Sequence, residues 1–492
     1  MFITVLFTTI ILLKPIFAVN FSEDISPIIY NNCTTCHRSG EIGSFLPFTN
    51  YQVIFDNRYL IANAIHDGED DRHGNPTMPP WMADREYTTF LNERFLTEEE
   101  INLFSTWIDE GAPQGNPELE FPLWEFSDES AIGEPDIVLS MTESHQIQAG
   151  ANDEYRCFIF HVDNEEDIDI SALEFRPGNR ELIHHAVGVA IPHGSANQYE
   201  MNDPGYGYEC FAFQGSQNAT TGLIVNYLPG QVQMQLKHGL GQRIPANSDI
   251  MVQIHYPTTF EDAEDLSEIN LFLSDYEVER TVGFEYLGGP DPGWYWPAFG
   301  FPPNEITEIY NSFSIWTDKS LISIAPHCHY LGKTWEVYYT LSGSMEQIPI
   351  VKIDDWNFYW QTKYYPEYPI HLPAGSAIHA YASYDNTADN PFNPNDPPDW
   401  VYVGQESADE MFTLDIQQVP YWEGDEELYM GRYPGDINSD DIVNILDLIT
   451  FVSAILGTYD LSYEEFQCVD LNRDYKTDIL DVIQLVNIIL SN

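Results

Sequence analysis

Two histidines separated by one residue, His327 and His329, are the first residues in this sequence whose spacing suggests chemistry. On a β-strand, residues i and i+2 project from the same face, about 6.5 Å apart along the backbone, so both imidazoles could reach one metal ion. His184, His185 and His255 offer a second group. Neutral imidazole suits copper or zinc. Adjacent histidines on a regular strand point to opposite faces, so the first pair needs a bend or bulge. A hydrogen-bonded structural role is the alternative for each histidine.

Cys33, Cys36 and His37 form a C-x-x-C-H motif. This motif is typical of c-type haem attachment, in which the two thiols form thioethers with the porphyrin and the imidazole binds iron. A thioredoxin-like redox pair would need a βαβ setting, and a zinc site would need a further Cys/His pair nearby. The motif therefore predicts covalently attached haem.

The second axial ligand of that haem is predicted to be Met78, in the segment Met-Pro-Pro-Trp. Its setting resembles the axial-methionine loop of small cytochromes c, where prolines hold the thioether towards iron. Met82, His66 and His73 are the alternatives. Residues 19–115 are accordingly expected to form a small all-α cytochrome c domain.

Two acidic segments, offset by 34 residues near the C-terminus, share one spacing of ligand residues. Oxygen side chains at loop positions 1, 3, 5, 9 and 12, with a backbone carbonyl at position 7, follow the EF-hand scheme for calcium. The glycine usual at position 6 is replaced by Asp441 and Tyr475, which we expect to strain the turn and lower calcium affinity. The predicted ligands are Asp436, Asn438, Asp440, Ile442, Asn444 and Asp447 in the first loop, and Asp470, Asn472, Asp474, Lys476, Asp478 and Asp481 in the second.

The elements that position these residues belong to a long, acidic chain. Its 492 residues exceed one ordinary core, so several domains are expected. An apolar fraction of 43% favours folded domains over disorder. With 78 acidic and 19 basic residues, the formal charge of −59 excludes nucleic acid as a partner, because its phosphates would be repelled.

An apolar run within residues 1–18 predicts a secretory signal peptide, although no basic residue precedes the run and Lys14 interrupts its end. The mature protein is therefore expected to be secreted, either extracellular or periplasmic, with no membrane span. Cys157 and Cys210 lie in matching Tyr-Arg-Cys-Phe and Tyr-Glu-Cys-Phe contexts and could form a disulfide in such a compartment. Their spacing alone does not establish the bond.

From about residue 133, short alternating apolar runs separated by Asn, Pro and Gly predict antiparallel β-sandwiches. Within them, four motifs in order resemble the copper type II, ascorbate-dependent monooxygenases, the family of peptidylglycine α-hydroxylating and dopamine β-monooxygenases. The likeness runs to about residue 420. Its motifs are His184-His185, Gln253-x-His255-Tyr256, His327-x-His329-x-Leu331-Gly-Lys333 and Asp409-Glu-Met411, with further likeness at Phe175–Arg180, Asp354–Trp356 and Leu372–Gly375.

The resemblance implies two jelly-roll domains, 133–278 and 279–420, facing each other across a solvent-filled cleft with one copper on each. The first copper would be held by His184, His185 and His255. The second would be held by the catalytic residues His327, His329 and Met411, where oxygen binds and a C–H bond is cut. A thioether ligand favours Cu(I). Cys328, between the two ligand histidines, is expected to be a buried structural thiol.

Two departures from the family bear on the substrate. The peptide-amidating members have an arginine where this chain has Ala325, and a tyrosine where it has Asp415. Peptide amidation is therefore not expected.

The C-terminal repeat, residues 430–492, resembles a type I dockerin. That resemblance implies two calcium ions and a cohesin-bearing scaffold as partner. A calcium-stiffened cap that folds back on the same chain is the alternative.

Taken together, the sequence predicts a multidomain protein with an all-α cytochrome c domain, two antiparallel β-sandwich (jelly-roll) copper domains and a small helical dockerin with two EF-hand-like loops. The expected function is that of a secreted copper monooxygenase. It would hydroxylate a small organic substrate with O2 and electrons from ascorbate, a redox protein or the attached haem. The alternative from another class is a non-enzymatic, dockerin-tethered cytochrome or binding protein. Oxidation of polysaccharide is less favoured, because no histidine stands at the expected mature N-terminus near Val19.

Overall fold

The computed structural model describes residues 19–66, 78–126, 130, 132–150, 153–210, 215–231, 235–288, 300–404 and 406–491. The signal-peptide prediction for residues 1–18 and the candidate His73 lie outside these ranges. The described part is multidomain, mostly β-sheet with a few helices. None of its helices has the length and apolar character needed to cross a bilayer.

The N-terminal module, which we define as residues 19–66 and 78–126, is helical. Its third helix begins with a capping box in which Thr97 and Glu100 exchange side-chain and backbone hydrogen bonds, as Ser/Thr-x-x-Glu segments favour. Trp107, on that helix, is fully buried beside Phe21 and Phe104 in the module's core. The elements are a π-helical turn Phe21–Ile25, α1 Ser26–Asn32, α2 Tyr51–Ile65, α3 Glu98–Asp109 and a 3₁₀ turn Pro117–Leu119.

The first β domain consists of two five-stranded sheets with an apolar core between them. The sheet orders are β1-β11-β4-β8-β12 and β6-β3-β9-β5-β7, and strands β2 and β10 form a separate ribbon. Alternate side chains of both sheets, such as Phe175 of β4 and Ile254 of β9, meet in one cluster. The elements are β1 Ile137–Ser140, β2 His145–Ile147, β3 Glu154–His161, β4 Ile168–Arg176, β5 His185–Pro192, α4 Asn197–Asn202, β6 Tyr208–Glu209, a 3₁₀ turn Ser216–Asn218, β7 Val225–Tyr227, β8 Leu240–Ile244, β9 Ser248–Tyr256, β10 Ala263–Asp265, β11 Glu268–Leu273 and β12 Arg280–Thr281.

One pairing departs from the expected antiparallel pattern. Strand β12 pairs in parallel with β8, with Arg280 opposite Leu240. A strand that the sequence placed in the second domain therefore extends a sheet of the first.

The second β domain likewise has two four-stranded sheets, β13-β22-β16-β19 and β15-β20-β17-β18, with β14 and β21 paired beside them. Its core includes Trp335 and Ile416, and also Ala83 and Phe90 of the N-terminal module. The elements are β13 Gly283–Gly288, β14 Gly300–Phe301, β15 Glu305–Ser314, β16 Lys319–His327, β17 Gly332–Thr340, β18 Ile348–Ile353, a 3₁₀ turn Phe358–Trp360, β19 Ile370–Leu372, β20 Ala377–Asn386, β21 Val401–Tyr402, β22 Thr413–Pro420 and a 3₁₀ turn Asp425–Glu427.

The C-terminal repeat is helical. Its helices are α5 Ile445–Ile455, α6 Tyr463–Val469 and α7 Ile479–Ser491. Phe451, Val469 and Leu485 are buried together, so the two loop–helix units share one small core.

Candidate metal centres

The first histidine group converges at the start of β5. His185 is the first residue of that strand and lies opposite His255 of β9. His184 precedes the strand, and its backbone N–H donates to the carbonyl of His255 (3.1 Å). The chain therefore bends between the adjacent histidines, which solves the geometric problem that a regular strand would pose. The ligand atoms of all three lie within 4.8 Å of one another.

The ring nitrogens of this group suit a metal ion. The Nδ1 atom of His184 is 3.2 Å from Nδ1 of His185 and 3.2 Å from Nδ1 of His255. The other nitrogen of His255 lies 3.2 Å from the carboxylate of Asp153, the arrangement by which metal-bound histidines are commonly oriented. Burial, followed by the neighbouring His255, lowers the pKa of His184 to about 4, so its imidazole is neutral at pH 7. Three imidazoles with converging Nδ1 atoms fit copper in either oxidation state.

The second pair, His327 and His329, lies where β16 ends. His327 is the last residue of the strand and His329 lies beyond it, with the ring centroids 5.1 Å apart. The sequence argument placed both histidines on one strand, whereas in the structure β16 ends at His327, two residues before His329. Nδ1 of His327 bonds to Gln361, and Nδ1 of His329 lies 3.2 Å from the carbonyl of Asp409. These bonds leave the Nε2 atoms for a metal ion.

Burial also keeps the second pair neutral. It lowers the pKa of His329 to about 3, with His327 adding to the effect, and it lowers the pKa of His327. Cys328 between them is fully buried and accepts a hydrogen bond from the indole of Trp335 (3.2 Å). The thiol thus belongs to the packed core of the second β domain, in keeping with the structural role expected for it.

Glu410 joins the segments that carry the second group. This fully buried carboxylate accepts the backbone N–H of His329 and of Met411 on one oxygen, and of Leu331 (2.9 Å) on the other. The carbonyl of Met411 in turn accepts the hydroxyl of Tyr384 (2.8 Å). Burial raises the pKa of Glu410 to about 8. Sequence reasoning assigned Glu410 no role. Its position directly before the candidate ligand Met411 and the apolar strand β22 was a signal that could have singled it out.

The two histidine groups face each other across one ring. The phenyl ring of Phe358 stacks 6.1 Å from His184 and lies edge-on 5.8 Å from His329, centroid to centroid. Tyr155, stacked on His255 at 4.2 Å, bonds through its hydroxyl to Ser407 (2.9 Å) in the loop before Met411. The sequence analysis expected a solvent-filled cleft between the domains. In the structure, the Phe358 ring and the hydrogen bond between Tyr155 and Ser407 are contacts beside these groups.

Both residues that depart from the family pattern lie on the sheet that carries His327. Ala325 of β16 is directly opposite Asp415 of β22. The carboxylate of Asp415 is buried, and within the described residues neither of its oxygens has a hydrogen-bond partner. Burial raises its pKa to about 6, an effect that the Lys363 charge reduces.

The C-x-x-C-H motif directly follows α1. The His37 ring stacks on Phe48 at 4.5 Å, and its Nδ1 lies 3.1 Å from the carbonyl of Leu46, which leaves Nε2 for an iron ion. Burial lowers the pKa of His37, so the neutral ligand form is favoured. Cys33 and Met78 both pack against the module's core. This donor set fits a c-type haem.

Among the alternative axial ligands, Met82 is committed elsewhere. Its sulfur accepts the backbone N–H of Asn357 (3.0 Å), and its side chain packs on the core of the second β domain. His66 is the C-cap residue of α2 and is exposed. Met78 remains the prediction that the module's packing favours.

The motif loop lies against the first β domain just before the histidine pair. The backbone N–H of Gly40 donates to Glu181 (3.0 Å), and Glu41 pairs with Arg180 (3.1 Å). A Cβ on Gly230 would lie 3.0 Å from Sγ of Cys36. The contact segment 180–181 is only a few residues from His184, so the haem motif and the first histidine group are neighbours.

Cys157 and Cys210 are disulfide-bonded, with their Cα atoms 5.2 Å apart. Cys157 is on β3 and Cys210 immediately follows β6, the strand paired with it. The bond therefore crosslinks neighbouring strands of the sheet that carries His185 and His255.

The two acidic loops are built alike. In the first, Asp436 accepts the backbone N–H of Asp441 (3.0 Å), and Asp447 accepts that of Ile437 (2.9 Å). In the second, Asp470 and Asp481 accept the equivalent bonds from Tyr475 (2.9 Å) and Leu471 (3.0 Å). These carboxylates are buried, and burial together with Asp481 and Asp474 raises the pKa of Asp470 to about 6. Such a set of inward carboxylates fits a hard divalent cation.

The side chains at loop position 6 contact other parts of the chain. Asp441 and Tyr475 both have left-handed backbone, with φ of 64° and 61°. The Asp441 carboxylate pairs with Lys237 of the first β domain. The Tyr475 hydroxyl donates to Glu100 and accepts from Asn32 (2.8 Å), both in the N-terminal module. The strain that the sequence predicted is present, and each strained residue holds an inter-domain contact.

These loops belong to a class of calcium-binding docking modules. Residues 434–490 match the type I dockerin domain family, so the chain carries a C-terminal type I dockerin domain. No curated protein matches the chain. Among solved structures, the infectious bursal disease virus VP2 subviral particle is 10% identical, with 71% of this chain and 96% of that chain covered and a TM-score of 0.15. The structure of the Gt strain of that virus is 11% identical, with 72% of this chain and 97% of that chain covered and a TM-score of 0.13. TM-scores this low say nothing about the fold.

Proposed function

We propose that this protein is a secreted copper monooxygenase that hydroxylates a C–H bond of a small organic substrate and is tethered through its dockerin. The observation that carries the proposal is the proximity of two histidine groups, one on each β domain: the ring of Phe358 contacts both His184 and His329. His184, His185 and His255 would hold one copper ion. His327, His329 and Met411 would hold the other. The motif order that resembles the ascorbate-dependent copper monooxygenases supports the same assignment.

Copper bound at these residues would supply one-electron chemistry with dioxygen, for the net reaction RH + O2 + 2e⁻ + 2H⁺ → ROH + H2O. The chain's own residues do the rest. Burial lowers the pKa values of His184 and His329, so that the lone pairs of these imidazoles are available at pH 7. Glu410 fixes the backbones of His329 and Met411 relative to each other. Side chains between the domains, Phe358 above all, limit access of bulk water.

The contact between the C-x-x-C-H loop and the segment before His184 supports electron entry at the first histidine group. Haem attached at Cys33 and Cys36 would be a one-electron donor built into the chain. Glu41 and Arg180 form one ion pair across this contact, and Gly40 and Glu181 form one hydrogen bond. Ascorbate or a separate redox protein would reduce the haem or the copper ions from outside.

Asp415 and Ala325 disfavour a substrate with a carboxylate end. A substrate carboxylate near β16 would lie close to the acidic side chain of Asp415. Position 325, opposite Asp415, holds alanine and not an arginine that could pair with the carboxylate. Like charges at short range in a buried site repel strongly. We therefore infer a substrate that is neutral or cationic where it approaches β22.

The dockerin would attach the enzyme to a cohesin-bearing scaffold. Helices α5 and α7 leave apolar side chains exposed, while α6 faces the N-terminal module through Tyr463 and Phe466. The domain thus combines a free apolar face with a face already used inside the chain. The exposed side chains are Ile445, Leu446 and Ile449 of α5 and Ile479, Leu480 and Ile483 of α7.

Copper-dependent oxygen uptake tests the proposal. With copper-loaded and haem-loaded protein and ascorbate as donor, we expect oxygen consumption. A substrate found by screening small organic compounds should accelerate it, and His329→Ala should abolish it. His371→Ala is the matched control, because this imidazole stacks on Tyr421 and lies opposite Ser320, seven residues before His327 on β16. If the rate of oxygen uptake depends neither on copper nor on the His329 substitution, the non-enzymatic alternative remains, a tethered electron-transfer or binding protein.

A further inference from the structure

Strand β9 carries a second set of metal-ligating side chains at its other end. Asp249 is the second residue of β9, and its register partner on β3 is His161, the last residue of that strand. His193 directly follows β5, which lies on the opposite side of β9. Three adjacent strand ends thus bring two imidazoles and one carboxylate together, independently of any family resemblance.

The ligand atoms of this set converge. Oδ1 of Asp249 lies 2.8 Å from Nδ1 of His161 and 2.9 Å from Nδ1 of His193. All three side chains have a ligand atom within 4.8 Å of the others. Oδ2 of Asp249 accepts the backbone N–H of Gly194 (2.8 Å), which fixes the carboxylate with Oδ1 turned towards the imidazoles.

Burial distinguishes the carboxylate from an ordinary surface acid. Asp249 is 0% exposed, whereas the side chains of His161 and His193 are 49% and 58% exposed. Across the described residues, the ion pairs of Asp249 are with these two imidazoles and with no lysine or arginine. A buried carboxylate needs a positive partner.

We propose that His161, His193 and Asp249 form a third metal site, which binds a divalent transition-metal ion of the Zn²⁺ or Ni²⁺ type. Two imidazole nitrogens and one carboxylate oxygen are the donor set that such borderline cations prefer over Ca²⁺ or Mg²⁺. The exposed imidazoles leave the remaining coordination positions to water. A bound ion would hold the ends of β3, β9 and β5 together.

This site is separate from the histidine group at the other end of β9. Asp249 and His255 are six residues apart on one strand, which corresponds to about 20 Å. The site at Asp249 therefore shares no ligand with the group that contains His255. Tests of the third site do not depend on whether the monooxygenase proposal is correct.

Zinc binding to the full chain tests the site. The protein is first loaded with haem and with copper as Cu(I), which prefers softer ligands than a carboxylate, and is kept in excess Ca²⁺, so that the other candidate sites are filled. It is then dialysed against Zn²⁺ at buffered free concentrations, and zinc and copper are counted separately by elemental analysis. We expect about one zinc per chain in the wild type, and a zinc dissociation constant at least tenfold higher in His161→Ala and in His193→Ala.

His371→Ala is the matched control, since His371 lies 3.4 Å from Glu426 and 3.7 Å from Asp318 without a second imidazole beside them. It should bind zinc as the wild type does. Asp249→Asn keeps the shape of the buried side chain and should also lose zinc, while near-ultraviolet circular dichroism checks that it folds. Equal zinc binding in the wild type and both histidine variants, or none in the wild type at micromolar zinc, would overturn the proposal and leave a hydrogen-bonded strand end.

Discussion

The imidazole of His184 on the first β domain and the imidazole of His329 on the second are separated by a single phenyl ring. Phe358 lies 6.1 Å from the first and 5.8 Å from the second. It belongs to a 3₁₀ turn at Phe358–Trp360, between β18 and β19. The spacing of the two groups is therefore set by one side chain and by the turn that holds it.

Phe358→Ala should reduce turnover without removing copper. Deleting the ring leaves a cavity between the two domains, and the imidazoles on either side can shift into it. A displacement of about 1 Å at a reacting group can cost about a hundredfold in rate. We expect copper to stay near two per chain while the rate of substrate hydroxylation falls at least tenfold. Tyr359→Phe, which keeps a ring 5.7 Å from His184, should retain the rate. Equal rates for both variants would show that Phe358 does not set the geometry.

Copper content should separate the two groups. Elemental analysis of protein reconstituted with Cu(I) and desalted should give about two coppers per chain, falling towards one in His184→Ala and towards one in Met411→Ala. Each substitution removes one of the three proposed ligands of one group only, and the two proposed ligand sets share no residue. Retention of two coppers in His184→Ala would contradict the first site, and no tightly held copper in the wild type would contradict both.

Glu410 is expected to control the second copper alone. Glu410→Ala leaves the backbone N–H groups of His329, Leu331 and Met411 buried without their acceptor, at a cost of about 1 to 3 kcal/mol each. Copper affinity at the second group should fall about ten- to a hundredfold, while the first group is unchanged. Glu410→Gln keeps one acceptor oxygen, so its copper affinity at the second group should lie between those of the wild type and Glu410→Ala. Copper titrations followed by electron paramagnetic resonance report each site, and equal losses at both sites would contradict the assignment.

The sequence identified the residues of the histidine groups better than it identified the reasons for their convergence. Residue types and order were sufficient to single out His184, His185 and His255, because few residue types ligate copper. The bend before β5 and the end of β16 at His327 depend on long-range pairing with β9 and β22, which strand periodicity does not encode. Short-range patterns predicted the dockerin loops, whose ligands lie within twelve residues of one another.

Two features could not have been predicted from local patterns at all. The parallel pairing of β12 with β8 joins segments from what the sequence treated as different domains. Two of the three bonds accepted by Glu410 come from backbone groups about 80 residues away along the chain. Contacts of this kind follow from how domains pack, and one sequence read alone gives little information on packing.

Asp415 should make stability depend on pH. Burial raises the pKa of its carboxyl from 3.8 to about 6, so folding favours the protonated form. The stabilising effect of protonation is complete below pH 3.8 and is lost as the pH rises through 6, a change of about 3 kcal/mol at most. The charged or titratable groups facing it are Lys363, whose pKa burial lowers, and Tyr365 and Tyr286, whose pKa values burial raises.

Asp415→Asn should therefore raise the thermal midpoint of the β domains at pH 7.5 and have little effect at pH 4. Lys363 reduces the gain, because its positive charge partly stabilises the Asp415 carboxylate. The double variant Asp415→Asn, Lys363→Met removes that contribution and should show the larger increase. Differential scanning calorimetry at the two pH values gives the comparison. A lower midpoint for Asp415→Asn at pH 7.5 would mean that the carboxylate is stabilised by a partner in solution.

Substituting glycine at position 6 of each calcium loop should raise calcium affinity and weaken the contacts between the dockerin and the rest of the chain. Asp441 and Tyr475 adopt left-handed backbone at a cost of about 1 to 2 kcal/mol each, a cost that glycine avoids. The same residues contact Lys237 and Glu100, so glycine also removes an inter-domain contact from each loop. Calcium titrations should give a higher affinity for Asp441→Gly and Tyr475→Gly than for the wild type.

Limited proteolysis measures the second effect. The segment 421–434 joins the last strand of the second β domain to the dockerin, and it should be cut faster in Tyr475→Gly than in the wild type when calcium is saturating. Tyr475→Phe is the matched control for the contact, because it keeps the ring and the backbone strain but cannot donate to Glu100. It should loosen the dockerin without raising calcium affinity. If Tyr475→Phe instead behaves as Tyr475→Gly in both measurements, the hydroxyl contact, and not the backbone, limits calcium binding.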